Sequence, residues 1–437
     1  MAERVASLAA GAWPRTTPIA DRVSATPGSS SFDLRQLLFA ALLGMTVLFN
    51  PLLALVNAQI FAVAGGMVVA IQGLIVIAAL ALGALQRDDP PYRWIALTWG
   101  LTMLLVAISA VRAELSLKNF GDILIIPAFI CLGTRLRGST LVRLVIALQS
   151  LLLLVGIWEL ASPAGFGATF KVISYYVNTR GFDQDAFWAG GDLFLSSERP
   201  KGRMLLDGFG LHRGSSLFLE PVSLGNWTIV IAVFIAAFWS RLSHAARIFL
   251  ILSNAALLVI CDGRLALSVN LVLLAYLPLA RKIPGWASAF YLPGLFLLLL
   301  IAMQFGFLPA GGDTMPGRLR VGMDALLTID LANLLGVGIV ENAFADAGWA
   351  YFIQTQSLIA ALAVWLMLTL TSTGEEGGGR MAKHGIAVFI TLCLPISYSI
   401  LSIKTVAVMW AFYGYFYARA NRMAKSFEPD PAREATI

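Results

Sequence analysis

The chain has 437 residues, of which 58% are hydrophobic and 13% are charged. Soluble domains carry roughly 25% charged residues, so this composition excludes a soluble domain and predicts an integral membrane protein. The net charge is +6, and in a membrane protein such an excess of basic residues is usually located in cytoplasmic loops. No nucleic-acid partner is therefore expected.

The composition divides the chain into three parts. Residues 1–34 are rich in Ala, Ser, Thr and Pro and lack a compact apolar core, which predicts a flexible cytoplasmic tail and not a secretory signal. Residues 35–420 are predicted to form one polytopic membrane domain, and residues 421–437 a second cytoplasmic tail. The fold class is predicted as all-α with about 12 transmembrane helices, because a bilayer core requires roughly 20 apolar residues per helix. The apolar runs lie at about 36–56, 60–85, 94–111, 119–134, 141–160, 221–240, 248–262, 265–280, 287–308, 350–371, 385–403 and 405–418.

The distribution of Lys and Arg predicts the orientation of these helices. With a cytoplasmic N-terminus, most Lys and Arg residues fall on the cytoplasmic side and most Asp and Glu residues on the other side. Both termini are then cytoplasmic. Two long segments, at about 161–220 and 309–349, fall on the outer side. Long ordered loops often carry function, so the chemistry is expected on the outer face.

Both outer loops contain apolar residues that indicate helices. Between Phe166 and Val177, aromatic and aliphatic residues mix with polar ones, which predicts a helix at the membrane interface. From Arg318 to Leu335, Leu and Met recur at near-helical spacing, which predicts an amphipathic surface helix ended by the glycine at 336. Either helix could be purely structural.

The densest group of polar residues spans residues 212–226, where the sixth predicted span begins. Proline is favoured at the first helical position, so the helix should begin at Pro221, with Glu220 at its cap and Arg213 just before it. His212 is the histidine expected on the outer face and is a candidate base there. Glu220 and Arg213 would lie at the outer surface of the membrane, where a charged side chain needs a partner because burying it is costly. Two interpretations remain open, a mutual Arg213–Glu220 ion pair or a substrate with phosphate and sugar.

Three further groups fall on the predicted outer face, each with a structural alternative. Arg264 follows Asp262 and a glycine in the turn between the seventh and eighth spans, which could be a plain tight turn. Arg318 and Arg320 begin the surface helix, where a positive charge opposes the helix dipole and so favours a ligand role. Asp346 precedes the tenth span, where it could simply cap the helix.

The sequence predicts neither a metal site nor a disulfide. Cys131, Cys261 and Cys393 are far apart in sequence and lie in or beside apolar runs, so they are predicted to be core residues. The segment from Asp183 to Asp185 has the DxD spacing of metal-dependent sugar-nucleotide transferases. Nucleotide sugars are not expected on the outer face, so no metal site is predicted.

In their order along the chain, these segments resemble the O-antigen polymerase/ligase superfamily, and within it the Wzy-like exopolysaccharide polymerases. The family pattern Arg-x-x-Gly/Ser-x-Phe-x-Glu-Pro-x-x-Leu-Gly reads here from Arg213 to Gly225. Gly263-Arg264, the segment Arg318–Gly338 and the segment Asp346–Trp349 match the features that follow it in the family. The match spans about residues 200–370, and the ordered set carries it, not any one element. The absence of histidine between residues 245 and 383 favours a polymerase, because lipid A–core ligases carry a His-Asn motif in the second large loop.

The resemblance implies a glycosyl transfer on the periplasmic face of the bacterial inner membrane. The donor would be a growing polysaccharide on undecaprenyl pyrophosphate, and the acceptor the terminal sugar hydroxyl of a lipid-linked repeat unit. Expected partners are this lipid-linked oligosaccharide, membrane lipid, a flippase and chain-length or export proteins. The alternatives are a ligase of the same superfamily and a twelve-helix transporter. The short link at 241–247 argues against a transporter built from two six-helix halves with a long cytoplasmic loop between them.

The resemblance also implies roles for the polar residues. Guanidinium groups bind phosphate oxygens in a bidentate manner, so arginines would neutralise the leaving pyrophosphate without a metal or other cofactor. The candidates for this are Arg213, Arg264, Arg318 and Arg320, with Arg203 as a weaker one. The attacking hydroxyl needs a general base. The candidates for the base are Glu220, then Asp346, then His212.

Overall fold

The structure is a computed structural model that describes residues 33–85, 89–183, 192–197, 211–309, 314–338, 347–374 and 377–426. Across these ranges the chain is helical, and no β-strand occurs in them. The predicted all-α class is therefore confirmed for this part of the chain. Most of the two predicted tails lies outside it.

The helices before the first long loop follow the predicted apolar runs. Two short helices then occupy the start of that loop, where one interfacial helix was expected. The bounds are α1 (Leu34–Gln59), α2 (Gly65–Ala84), α3 (Tyr92–Arg112), α4 (Leu117–Gly133), α5 (Gly138–Ala161), α6 (Pro163–Phe170) and α7 (Val172–Arg180).

The later helices also overlap the predicted runs, with two short helices in the second long loop. They are α8 (Pro221–Phe238), α9 (His244–Cys261), α10 (Arg264–Ala280), α11 (Tyr291–Gln304), α12 (Met315–Leu327), α13 (Leu331–Leu334), α14 (Gly348–Gln356), α15 (Leu358–Leu370), α16 (Gly377–Cys393) and α17 (Ile403–Ser426).

Seven helices in the described ranges are long and apolar enough to cross a membrane, or eight if the bent pair α14–α15 counts as one span. The chain is thus a membrane-embedded protein. Each of the twelve predicted runs overlaps a helix, but fewer than twelve of these helices meet the length and hydropathy expected of a span. Helix α17 starts with an apolar stretch and then continues through charged residues to Ser426, so its apolar part is shorter than the helix itself.

The prediction of a single helix over residues 350–371 is wrong. The chain bends by 112° between α14 and α15. Ser357 lies at the break with φ at 84°, a conformation that side-chain-bearing residues rarely adopt, and its hydroxyl accepts a hydrogen bond from Ala360 N at 3.2 Å. Hydropathy could not reveal this bend because both halves are apolar. The surface helix predicted over residues 318–335 is also divided, because Asp330 caps the short helix α13 through Asn333 N.

The backbones of helices α4 and α17 lie very close together where the two helices cross, because each has a glycine there. A Cβ atom on Gly133 would lie 2.0 Å from the carbonyl oxygen of Ala411, and one on Gly414 would lie 2.0 Å from that of Ile130. Small residues at such crossings let helix backbones approach closely inside a membrane. Helix α8 is the most buried candidate span, and it packs against α9, α10, α16 and α17. The core therefore lies around α4, α8 and α17.

Hydrogen bonds and ion pairs between turns show which helix ends lie together, and they define two ends of the helix bundle. At one end, Arg112 donates to the carbonyl of Gln354 at 2.5 Å, and residues of α7, the 220 turn and the start of α17 meet. We call this the site end. At the other, Gln36 donates to Arg135 O at 2.9 Å and Arg380 donates to Arg281 O at 2.6 Å. We call this the basic end because its described turns are rich in arginine.

Candidate functional site

The site is built around Glu220, the residue immediately before α8. The chain is extended at this position (φ −140°, ψ 119°), and Pro221 begins the helix as its sequence position predicts. The carboxylate is buried, with 12% of the side chain exposed. It lies 2.5 Å from Arg180 Nη1 and 2.5 Å from Lys404 Nζ, and it accepts a hydrogen bond from Ser223 Oγ at 2.8 Å. We call Arg180, Glu220 and Lys404 the Glu220 cluster.

The two cations of the cluster are 224 positions apart in the chain and differ in exposure. Arg180 is the last residue of α7, stacks 4.7 Å from the Tyr176 ring centre and has 40% of its side chain exposed. Lys404 is the second residue of α17, has 7% of its side chain exposed and also donates to the Phe218 carbonyl at 3.3 Å. With one carboxylate between two cations, the cluster carries a net charge of +1.

Electrostatics keep Glu220 ionised. Burial alone would raise the pKa of its carboxyl group, but the charges of Arg180 and Lys404 outweigh burial and hold the pKa at about 2. Burial likewise lowers the pKa of Arg180, and the Glu220 carboxylate more than reverses that effect. A carboxylate with so low a pKa is a weak proton acceptor. The geometry therefore suits Glu220 to positioning cations, and the general-base role predicted for it from the sequence stays a prediction.

The Arg213 side chain has different partners from those expected. Its Nε donates to Cys261 O at 3.0 Å and its Nη1 to Ser196 O at 3.0 Å. Among the described residues, Glu220 has its ion pairs with Arg180 and Lys404, so the Arg213–Glu220 pair is not the one formed. Arg213 instead connects the loop before α8 to the C-terminal end of α9.

The carboxylate of Glu159 is the hydrogen-bond acceptor for the loop between Arg213 and Glu220. It is fully buried near the end of α5, and its carboxylate accepts hydrogen bonds from Ser215 N at 2.7 Å, Ser215 Oγ at 2.9 Å and Ser216 N at 2.6 Å. His212, a predicted base, is also buried, and its Nε2 lies 3.7 Å from Glu159 Oε1. His212 is thus a neighbour of Glu159 and not an exposed histidine.

The remaining predicted arginines occupy two separate regions. Arg264 is the first residue of α10, close in sequence to the Cys261 carbonyl that Arg213 contacts. Arg318 is half-buried on α12. Arg320 on the same helix forms a two-point contact with Asp324 at 2.9 and 3.0 Å, an i,i+4 ion pair. Arg203 and Asp346 lie outside the described residues.

A second polar group at the site end was not predicted. Asp122 is buried on α4, where it accepts a hydrogen bond from Tyr351 Oη at 3.0 Å and lies 3.4 Å from Lys118 Nζ. The ring of Tyr351 packs against that of Tyr398, with centroids 4.6 Å apart. Tyr398 in turn interacts electrostatically with Arg180. This group therefore adjoins the Glu220 cluster.

Three charged residues of the site end that were not predicted from the sequence share one signal. Glu159, Asp122 and Lys404 each stand within or between apolar runs, where an ionisable side chain is costly and therefore marks a function or a partner. Arg180 gave no such signal, because it lies in a mixed loop and meets Glu220 only through the fold.

Within the described ranges, no group of three or more His, Cys, Asp or Glu residues is arranged to hold a metal ion. Of the DxD motif, only Asp183 is described. No protein family, curated protein or solved structure matches the chain. We therefore infer the function from the residues and their geometry.

Proposed function

We propose that this chain is a membrane glycosyltransferase that extends a polysaccharide on undecaprenyl pyrophosphate, using a lipid-linked repeat unit as acceptor. The observation that carries the proposal is the Glu220 cluster. Two cations converge on one carboxylate at the start of α8, inside the segment whose sequence resembles the Wzy-like polymerases. This gives a site with net positive charge at the level where a lipid-borne pyrophosphate would enter.

The chemistry assigns separate roles to the members of the cluster. Arg180 has 40% of its side chain exposed, and its planar guanidinium matches two phosphate oxygens and stays charged as negative charge grows on the leaving group. Lys404 keeps the carboxylate neutralised from the buried side, so that Arg180 retains capacity for an anion. Glu220 fixes both cations in place. In this proposal the base that activates the acceptor hydroxyl is His212 or Asp346, and Arg213 organises the loop.

Orientation follows from the positive-inside rule. Arg135, Arg281 and Arg380 lie at the basic end, which we assign to the cytoplasm. The site end then faces the periplasm of a bacterial inner membrane, and both termini are cytoplasmic. The lipid-linked repeat would be supplied by a flippase, and the product passed to chain-length or export proteins.

The test is complementation of a deletion strain of the source organism. Without the gene, long polymer should disappear and single lipid-linked repeats should accumulate. Wild-type protein should restore polymer, whereas Arg180→Ala and Lys404→Met should not, at equal membrane levels. Lys425→Met is the matched control for Lys404→Met, because it removes a lysine of the same helix that pairs with Asp89 at the surface, at the opposite end of α17.

Three results would contradict the proposal. Long polymer in the deletion strain would show that the chain is not the polymerase. Polymer that forms normally but is no longer attached to a second lipid or protein would indicate a ligase. Flux of a glycolipid through proteoliposomes that contain this protein alone, without chain extension, would indicate a transporter.

A further inference from the structure

A tyrosine hydroxyl faces the first residue of α5 at the basic end of the bundle. Tyr415 on α17 is 6% exposed, and its Oη forms no hydrogen bond with any residue that the structure describes. A Cβ atom on Gly138, where α5 begins, would lie 2.9 Å from this Oη. A largely buried hydroxyl without a partner is costly, so it points to a ligand at this position.

A guanidinium approaches the same position. Arg241 lies in the turn between α8 and α9, and its Nη1 would lie 3.4 Å from a Cβ on Gly138. The guanidinium packs over the ring of Tyr415, 5.5 Å from the ring centre, which is within the range of a cation–π interaction. Within the described ranges, Arg241 forms no ion pair with an acidic side chain. Its positive charge is therefore available to an anion.

The start of α5 adds backbone donors to these two side chains. The first N–H groups of a helix have no partner within it, and Arg137 at the N-cap provides no side-chain acceptor. The Gln36 side chain accepts hydrogen bonds from Arg137 N at 2.9 Å and from Thr140 Oγ1 at 3.0 Å. The N–H groups of Gly138 and Ser139 have no acceptor among the described residues. Hydroxyl, guanidinium and backbone N–H groups are together the donors that bind phosphate.

These donors lie at the level of lipid headgroups. The apolar run of α5 begins at Leu141, three residues after Gly138, and that of α8 ends at Phe238, three residues before Arg241. Three residues correspond to about 5 Å along a helix. The adjacent Trp239 is 41% exposed, and tryptophan is enriched at the membrane–water interface. The phosphate group found at this depth is that of a membrane phospholipid.

We propose that Tyr415, Arg241 and the start of α5 bind the phosphate of an anionic phospholipid in the leaflet at the basic end. Segments 134–143 and 239–247 contain no acidic residue, so they favour a lipid of net negative charge over a zwitterionic one. The site lies at the opposite end of the bundle from the Glu220 cluster. It would bind lipid whatever reaction that cluster serves.

The experiment is native mass spectrometry of the full-length protein in detergent, titrated with phosphatidylglycerol or with phosphatidylcholine. Wild-type protein should bind one phosphatidylglycerol at least tenfold more tightly than phosphatidylcholine. Tyr415→Phe removes one oxygen and keeps the ring under Arg241. It should weaken phosphatidylglycerol binding about tenfold, the loss expected for one hydrogen bond to a charged group. Arg241→Gln should weaken binding by at least as much.

The matched control is Tyr417→Phe on the same helix. The ring of Tyr417 packs against Trp94 of α3, with ring centres 6.3 Å apart, so this variant should bind phosphatidylglycerol like wild type. Gly138→Ala is a second test of the site, because its methyl group would fill the space beside the Tyr415 hydroxyl. It should weaken binding as well.

The uncharged hydroxyl separates a built site from general attraction of anionic lipid to the basic end. Equal phosphatidylglycerol binding by Tyr415→Phe and wild type, at equal melting temperatures, would overturn the proposal. Equal affinity of wild type for the two lipids would also overturn it. Inorganic phosphate is the probe for a soluble ligand. Binding of phosphate without binding of phosphatidylglycerol would replace the lipid by a soluble phosphate compound.

Discussion

Replacing Glu220 by glutamine should destabilise the protein through the cations that it leaves behind. Lys404 is buried, and its remaining contact among the described residues is the Phe218 carbonyl. Removing one partner of a buried ion pair costs about 3–5 kcal/mol, because the other charge stays buried without compensation. The shift in pKa gives a similar figure. A fall from 4.5 to about 2 corresponds to about 3 kcal/mol, since each tenfold change in an equilibrium constant is worth about 1.4 kcal/mol.

The same shift predicts a pH dependence of known sign. The pKa of Glu220 is lower in the folded than in the unfolded protein, so its ionisation stabilises the fold at pH values above about 4.5. This contribution should disappear as the pH falls from about 4.5 to about 2. In Glu220→Gln it should be absent, so the melting temperature of the variant should vary less over that interval than that of wild type.

The assay is thermal unfolding of purified protein in detergent, followed by the fluorescence of its 11 tryptophans. Glu220→Gln should melt well below wild type, and adding Lys404→Met should recover part of the loss because the buried charge is gone. Asp324→Asn, in the exposed pair with Arg320, is the control and should change stability by less than about 1 kcal/mol. The reasoning is refuted if Glu220→Gln melts like wild type, or if the double variant is less stable than either single one.

Three further substitutions test the remaining structural claims by the same melting assay. Glu159→Gln should lower stability by about 1–3 kcal/mol and reduce polymer formation, since it weakens the acceptor for two backbone N–H groups; unchanged melting would argue against that role. Gly133→Val should prevent the close crossing of α4 and α17, whereas Gly294→Val on α11, where an added Cβ would meet no neighbouring element within 4 Å, should be tolerated; equal melting of both would contradict the crossing. Ser357→Gly should relieve strain of about 1–3 kcal/mol but lose a helix cap worth about 1 kcal/mol, so stability should rise or stay constant, and a clear fall would refute the strain.

Composition and periodicity were sufficient for the helical class and for most helix positions. The start of α8 was predicted to the residue, because a proline after a polar residue is a strong local signal for a first helical turn. The glycine at 336 ends the surface segment with φ at 78°, as expected of a glycine stop. These features depend on residues adjacent in the chain.

The partners of the charged residues could not be predicted in this way. Glu220 meets Arg180 across 40 positions and Lys404 across 184, and no local pattern encodes either contact. Arg213 donates to Cys261 O and Ser196 O, 48 and 17 positions away, and its role at the substrate stays a prediction. The bend at Ser357 could not be predicted either, since both halves are apolar and no glycine or proline lies at the break.

The separation between Glu220 and Lys404 has a consequence for biosynthesis. The carboxylate is synthesised 184 residues before its buried partner, which at 5–20 residues per second corresponds to roughly 10–40 s. During this interval Arg180 is already present, so the nascent chain holds the Glu220 carboxylate with only one of its two cations. Helix α17, which follows the other described helices in the chain, supplies the residue that completes the cluster. A chain truncated before α17 would thus contain every predicted motif and still lack the charge that closes the cluster.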